Sequence, residues 1–448
     1  MRFYILLLMT FLLSINAMAQ KSISLDDAVK IALQGNTTLA KSVTSLRTNT
    51  SNLKAAYGQL LPSLSAQGNW RWDRSEGPGG SFVQGGTLVF ISGNQESRTY
   101  QASASTQWTL FDGLANLAAV SQGKNDLESA QLALERQKQD IVFTTIADYY
   151  QVLNAKQIVK VREDDLAYNR KNLEAITERN RLGAVTLADV YAQQVNVGNS
   201  ELALIQAKND LDNFQSQLLT YLGLDVMSEV NISDPIETDT TKVLEGELFL
   251  KQYDNLRAAV DEALNNRVDY KSAQYKLESA YNGITVAKGA YFPRLTNNNS
   301  FGSTSGSINE LFKSRGYSVG LTLSIPIFSG WTTENNVEFA DVNAKTREIE
   351  LTELERQIKI DLKTTYLNYQ AAQKALDVSA KNVQSAQQNR SIEQEKYNIG
   401  SGTFVNLLLA SSNYTLALQT NITNRFNFYR LKSQLEYYLG ILDFKKFE

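Results

Sequence analysis

Ser216-Gln217-Leu218-Leu219-Thr220-Tyr221-Leu222-Gly223-Leu224 returns further along the chain as Ser433-Gln434-Leu435-Glu436-Tyr437-Tyr438-Leu439-Gly440-Ile441. Leu182-Gly183-Ala184-Val185-Thr186 returns as Ile399-Gly400-Ser401-Gly402-Thr403. Both pairs share one offset, since 433 − 216 = 217 and 400 − 183 = 217. A repeated half-chain implies a pseudo-symmetric architecture, and each half must be read against the other. On the N-terminal side, Ala28-Val29-Lys30-Ile31-Ala32-Leu33 matches Ala259-Val260-Asp261-Glu262-Ala263-Leu264, and Gly58, Pro62 and Leu64 match Gly289, Pro293 and Leu295. There the offset is 293 − 62 = 231, so the halves differ by 231 − 217 = 14 residues between these anchors. The difference falls in the Gly- and Ser-rich stretch Asp73 to Arg98, against a shorter one near Ser303 to Arg315. Loop tips absorb such insertions, so both stretches are expected to be loops.

Residues 1–19 read as a secretory signal: Arg2 supplies the positive region, Phe3 to Leu13 is apolar, and Ala17-Met18-Ala19 has the small-x-small cleavage pattern. The apolar run is short of the ~20 residues of a spanning helix. Without Arg2 the net charge is 43 − 47 = −4, and this mild acidity gives no reason to expect nucleic acid. The chain has no Cys and no His. Disulfides, Ser-His and Cys-His nucleophiles and the usual zinc sites are thereby excluded. With no Gly-rich phosphate loop and no paired acidic cluster at an evident pocket, the reading is of a non-enzyme without cofactor or metal.

Proline is absent from Gly79 to Asp234 and from Ile327 to the C-terminus, which permits very long helices. Leu204, Ala207, Leu211, Phe214, Leu218 and Tyr221 alternate spacings of 3 and 4; Phe428, Leu431, Leu435 and Tyr438 do so again, as do Val142, Ile146, Tyr149 and Leu153. This is a coiled-coil seam. Leu114 to Arg181 and Thr332 to Asn398 read as two nearly unbroken helices, each on the order of 100 Å long. Between the helices, polar and apolar residues alternate after Pro62, from Tyr100 to Leu110 and from Tyr317 to Ile325, as strands do. Near Leu295 to Phe301, Asn297, Asn298, Asn299 and Ser300 blur the alternation. The polar faces carry mostly uncharged Ser, Thr, Gln and Asn, as a water-filled lumen would, and Trp70, Trp72, Tyr100, Trp108 and Tyr317 lie toward strand ends, as an interfacial girdle would. A soluble pair of hairpins is the competing reading. Four strands cannot close a barrel in lipid, so copies must combine: two give eight strands, three give twelve. Only the wider barrel leaves a channel, which favours a trimer if the object is a conduit.

Each half has one tight helix–helix turn. Gly183 and Gly400 suit the left-handed position after a helix end, Thr186 and Thr403 are N-caps, and Thr186-x-x-Asp189 fits a capping box.

These residues resemble the TolC-like outer-membrane efflux protein family. The carrying motifs are Ala287-x-Gly289-x-x-x-Pro293-x-Leu295, Val319-Gly320-Leu321-x-Leu323-Ser324-Ile325-Pro326-Ile327-Phe328-x-Gly330, and Tyr397-x-Ile399-Gly400-x-Gly402-Thr403. The resemblance implies a mixed α and membrane-β fold. It would be a homotrimer with a composite twelve-stranded β-barrel, four strands per chain, in the outer membrane of a Gram-negative bacterium. A long periplasmic α-helical coiled-coil barrel and a small equatorial domain would continue it. The implied order is a signal peptide at 1–19 and a first repeat at 20–228, with its strand pair at about 62–110 and its helical turn at 183–186. An inter-repeat equatorial segment follows at 229–255, then a second repeat at 256–442, with its strand pair at about 293–328 and its turn at 400–403, and a tail at 443–448. The implied function is a passive exit duct of a tripartite efflux pump, opened by a periplasmic adaptor and an inner-membrane pump, with outer-membrane lipid as its surroundings. Type I protein secretion is the alternative, and a secreted structural coiled coil the other. Gly183, Ala184, Val185, Thr186, Gly400, Ser401, Gly402 and Thr403 would dock the adaptor. Family gates use aspartates, a tyrosine and an arginine near these turns; Asp189 and Tyr397 match, Gly402 stands where some members carry the arginine, and Asn406 and Leu409 stand where an acidic ring is expected.

Overall fold

The computed structural model describes residues 22–91, 93–228, 230–233 and 241–447. The expected signal at 1–19 lies outside them. In chain order the elements are β1 (Ser22–Ile23), α1 (Leu25–Gly35), α2 (Thr37–Gly58), β2 (Ser63–Glu76), β3 (Gly80–Gln84), β4 (Thr87–Ile91), β5 (Asn94–Phe111), α3 (Ala115–Arg181), α4 (Leu187–Leu222), β6 (Asn231–Ile232), α5 (Thr241–Gln252), α6 (Leu256–Asn266), α7 (Val268–Lys288), β7 (Arg294–Ser305), β8 (Arg315–Ser324), α8 (Thr332–Asn398) and α9 (Phe404–Leu439). The pseudo-equivalent helices agree in length: α3 and α8 have 67 residues each, α4 and α9 have 36 each. No described helix is long and apolar enough to cross a membrane. The described residues form two compact units, those within 22–44, 132–270 and 353–447, and those within 45–131 and 271–352.

In the first unit the coiled-coil seams make the core. Ile141, Val142, Tyr149 and Leu153 of α3 meet Leu218 and Leu222 of α4, Ile358, Leu362 and Tyr369 of α8, and Phe428 and Leu435 of α9, all buried. Ala28, Val29 and Ala32 of α1 and the equivalent Ala259 and Ala263 of α6 close over this core. Tyr149 ties it to the small parallel pair β1–β6: its hydroxyl donates toward the Ile23 and Ser233 carbonyls at 3.0 and 2.6 Å. Leu250 and Tyr253, and after α9 Leu442 and Phe444, join the same core. The repeated Leu-Gly-apolar ending of α4 and α9 has a mechanical reason. Gly223 and Gly440 sit at φ 73° and 75°, and the N–H of the next residue reaches back to Leu219 O and Glu436 O, at 2.9 and 3.1 Å. Each bond satisfies an end carbonyl of its helix, and a glycine carries the left-handed turn without Cβ strain.

The second unit carries an antiparallel four-stranded sheet in the order β2-β5-β7-β8. Direct cross-strand partners share a face. One face holds Leu64, Trp70, Trp72, Tyr100, Trp108, Phe301, Tyr317, Val319, Leu321 and Leu323; the other is a ladder of small polar residues. There Ser65 and Ser105 lie 2.9 Å apart through their hydroxyls, as do Ser300 and Ser318 at 2.7 Å. Asn297 and Asn299, which blurred the sequence pattern, lie on the apolar face, where Asn299 Nδ2 donates to Asn297 Oδ1 at 2.7 Å and to Thr106 Oγ1 at 3.0 Å. Strand β7 therefore forms despite its irregular pattern. Both β2 and β8 end the sheet with an edge that no described strand of the chain pairs.

One expectation is overturned. Asp73 to Arg98 is not a loop throughout: β2 and β5 stay paired from Ser63↔Gln107 to Glu76↔Asn94, and a further hairpin, β3–β4, follows. Its two-residue connection is Gly85-Gly86, at φ 59° and 88°, the positive-φ geometry of a tight hairpin turn. In a Gly- and Ser-rich stretch, the strand signal of Phe82-Val83 and Leu88-Val89-Phe90 was outweighed by composition.

Candidate gate at the helical turns

The two turns are built alike. Gly183 and Gly400 adopt φ 78° and 79°. The N–H of Ala184 reaches back to Arg179 O, and that of Ser401 to Lys396 O, both at 2.9 Å. Thr186 and Thr403 then start α4 and α9 in extended conformation, each side chain accepting from the N–H three residues on. The caps differ in completeness. Asp189 Oδ2 accepts from Thr186 N at 3.0 Å and from Thr186 Oγ1 at 2.8 Å, closing a full capping box. Asn406 contributes its backbone N–H to Thr403 Oγ1 at 3.3 Å. Val185, in the turn, is held from α3, its carbonyl accepting from Asn180 Nδ2 at 2.8 Å.

Tyr397, one repeat offset from Asn180, does something else. Its ring packs 5.8 Å from that of Phe404, in a small cluster with Ile176, Val190, Leu173 and Val185 that joins the two hairpins. The Arg179 guanidinium lies 5.0 Å from the centre of the Tyr397 ring. It also donates to the Tyr397 carbonyl and to Asn398 Oδ1, each at 3.4 Å. The Tyr397 hydroxyl is buried and makes no hydrogen bond among the described residues. Asp189 and Tyr397 are therefore not brought together; the residue that grips Tyr397 is Arg179. Sequence reasoning missed it because a basic residue in the last turn of a helix is expected from the dipole alone. The repeat held a signal: Arg179 aligns with Lys396 (179 + 217), which spends its charge locally on Glu393 at 2.7 Å.

Gly402 has a packing role. A Cβ placed there would sit 2.9 Å from Lys396 Cβ and 3.2 Å from Tyr397 N. An arginine at this position would require a different turn.

Behind the turns, in the same unit, the hairpins share a polar network. Asp165 accepts from Ser200 Oγ at 2.8 Å and Thr415 Oγ1 at 2.9 Å. Asn169 donates to Ser200 Oγ at 2.9 Å, and Gln193 donates to Asn169 O at 2.8 Å. Tyr168 donates to Gln394 Oε1 at 2.7 Å, and Arg390 stacks between Tyr168 and Tyr414, at 4.8 and 4.3 Å. An open groove of ≈ 620 Å³ over this network is lined by Asn196, Asn199, Leu409 and Leu416 among others. Leu409 is exposed there and carries no charge, as does Asn406.

Duplicated helical hairpins with capped, cross-braced turns, together with an open amphipathic sheet, recur in known proteins. The outer membrane efflux protein model matches residues 28–224 and 259–440, both repeats, and the chain belongs to that family. Outer membrane protein TolC of Escherichia coli is 22% identical over 358 residues, covering 76% of this chain and 70% of that protein. Protein CyaE of Bordetella pertussis is 21% identical over 404 residues, covering 89% and 80%. The fold is similar to that of the outer membrane protein VceC of Vibrio cholerae, at TM-score 0.77 and 17% identity, covering 93% of this chain and 96% of that one. This chain is an efflux protein of the outer membrane.

Proposed function

We propose that three copies of this chain form a passive exit duct: a twelve-stranded barrel continued by a helical barrel, gated at the Gly183 and Gly400 turns. The open sheet carries the reading. Its two unpaired edges and its apolar face have no stable place in lipid within one chain, because each unsatisfied backbone group costs several kcal/mol there. Edge-to-edge closure by copies removes both edges, and three copies give a lumen lined by the ladder of small polar residues. The helices support the same assembly. Leu187, Tyr191, Val195, Leu202 and Ile205 form an exposed apolar row along α4, and Ile360, Leu367, Val378 and Ile392 form one along α8. Such rows suit a head-to-tail contact between copies.

In this reading the turns dock a periplasmic adaptor coupled to an inner-membrane pump. Arg179 on Tyr397 latches the closed tip, and Asp189 acts as a cap. A cation–π contact of this exposure contributes about 0.5–1 kcal/mol, and two long hydrogen bonds add about as much. Three latches would total roughly 3–6 kcal/mol, the size needed to turn a mostly open tip into a mostly closed one and still be reversed by docking. The native mass of protein extracted from outer membranes tests the assembly: three chains are expected, and single chains would refute it.

A further inference from the structure

A half-buried carboxylate with no partner lies beside α4. Asp148 of α3 faces an open groove of ≈ 600 Å³ lined by Asn36, Asn213, Ser216, Thr220 and Tyr221 among others, none of them basic. Its carboxylate accepts no hydrogen bond and pairs with no cation among the described residues. The groove continues the exposed α4 row: after Ile205 the same face runs through Asn209, Asn213, Ser216 and Thr220, at spacings of 4, 4, 3 and 4. The apolar row thus ends in a polar notch with a negative floor.

The exposed row of α8 has the complement. Lys363 lies three residues after Ile360 and four before Leu367, so it stands within the row. It is exposed and makes no ion pair among the described residues. The heights also agree. Asp148 is 181 − 148 = 33 residues before the end of α3, and Lys363 is 398 − 363 = 35 before the end of α8. By helical rise that is about 50 and about 52 Å from the respective turns.

We propose that Lys363 of a second copy enters the groove over Asp148, so that each groove is completed by the next chain and the α4 row of one copy is set in register on the α8 row of its neighbour. The pairing rests on the trimer reading above. It turns a non-directional apolar contact into one defined register, as a polar residue within an apolar seam does in coiled coils. Burial raises the free carboxyl to about 6, with Tyr221 and, further off, Asp140 as the other titratable groups on that side. An unpaired Asp148 would therefore weaken the protein at pH 8, and a paired one would strengthen the assembly.

The absence of Cys makes a direct test simple. The double variant D148C/K363C, extracted as the assembled protein and treated with a short bis-methanethiosulfonate reagent, is expected to give linked dimers and trimers; D148C alone and K363C alone should give none. A native mass of three chains with no linked species overturns the pairing and leaves the trimer standing. A native mass of one chain overturns both. The second reading is the temperature at which trimers dissociate at pH 8. D148N is expected to lower it by several degrees, and the charge exchange D148K/K363D to restore most of the loss. A rise with D148N, as for an unpaired carboxylate relieved of its charge, overturns the proposal.

Discussion

Asp189 and Arg179 show how one residue's partners decide its role. Asp189 spends its oxygens on Thr186 within its own hairpin, whereas Arg179 reaches the other hairpin. Arg179→Ala should therefore raise the open-to-closed ratio of the proposed trimer about 100-fold or more, if each of three latches contributes at least about 1 kcal/mol; channel open probability in planar bilayers measures it. Asp189→Ala should cost about 1 kcal/mol of hairpin stability and alter conductance much less. The acid side of the Asp148 pairing can be read as well. The carboxyl stands near 6 in the separate protomer and lower beside a lysine, so the pairing's contribution is full above pH 6 and is lost as pH falls from there through the lower paired pKa. Dissociation temperature should fall between pH 7 and pH 5 in the wild type and stay flatter in D148N. Asp189 and Tyr397 were legible in the sequence as residues of the turns. Arg179 was not, because its contact spans 397 − 179 = 218 residues and no local pattern announces it.

At the scale of elements, the repeats made the helices readable almost to their ends. Gly183 and Gly400 were legible as helix stops because few other residues tolerate φ near 78°. Gly183→Ala should lower the stability of the turn by about 1 kcal/mol, seen as faster amide exchange in residues 178–190. Gly402→Arg should fail to add a second latch, since its Cβ already meets the Lys396 backbone; unchanged exchange at 396–403 would contradict this. Two strand features escaped the sequence pattern for physical reasons. The Gly85-Gly86 turn was hidden by the surrounding Gly and Ser, and β7 carries asparagines on its apolar face that only cross-strand hydrogen bonding makes acceptable.

For the whole molecule, the proposed assembly rests on what one chain leaves unsatisfied. The open sheet edges demand neighbours, and the exposed rows on α4 and α8 offer the surfaces for them. Leu202→Asp, in the middle of the α4 row, should shift extracted protein from trimer toward monomer while leaving its helix content intact, as read by native mass and circular dichroism. Alternation revealed the sheet faces in the sequence and periodicity the seams of α3, α4 and α9; the exposed rows, and which row meets which, did not show there, because pairing between copies depends on surfaces that only the packed helices create. Single-channel recording of the purified protein in planar bilayers tests the central claim most directly. A gated duct predicts small, mostly closed conductance from the wild type and long-lived large openings from Arg179→Ala, and no conductance from either protein would contradict it.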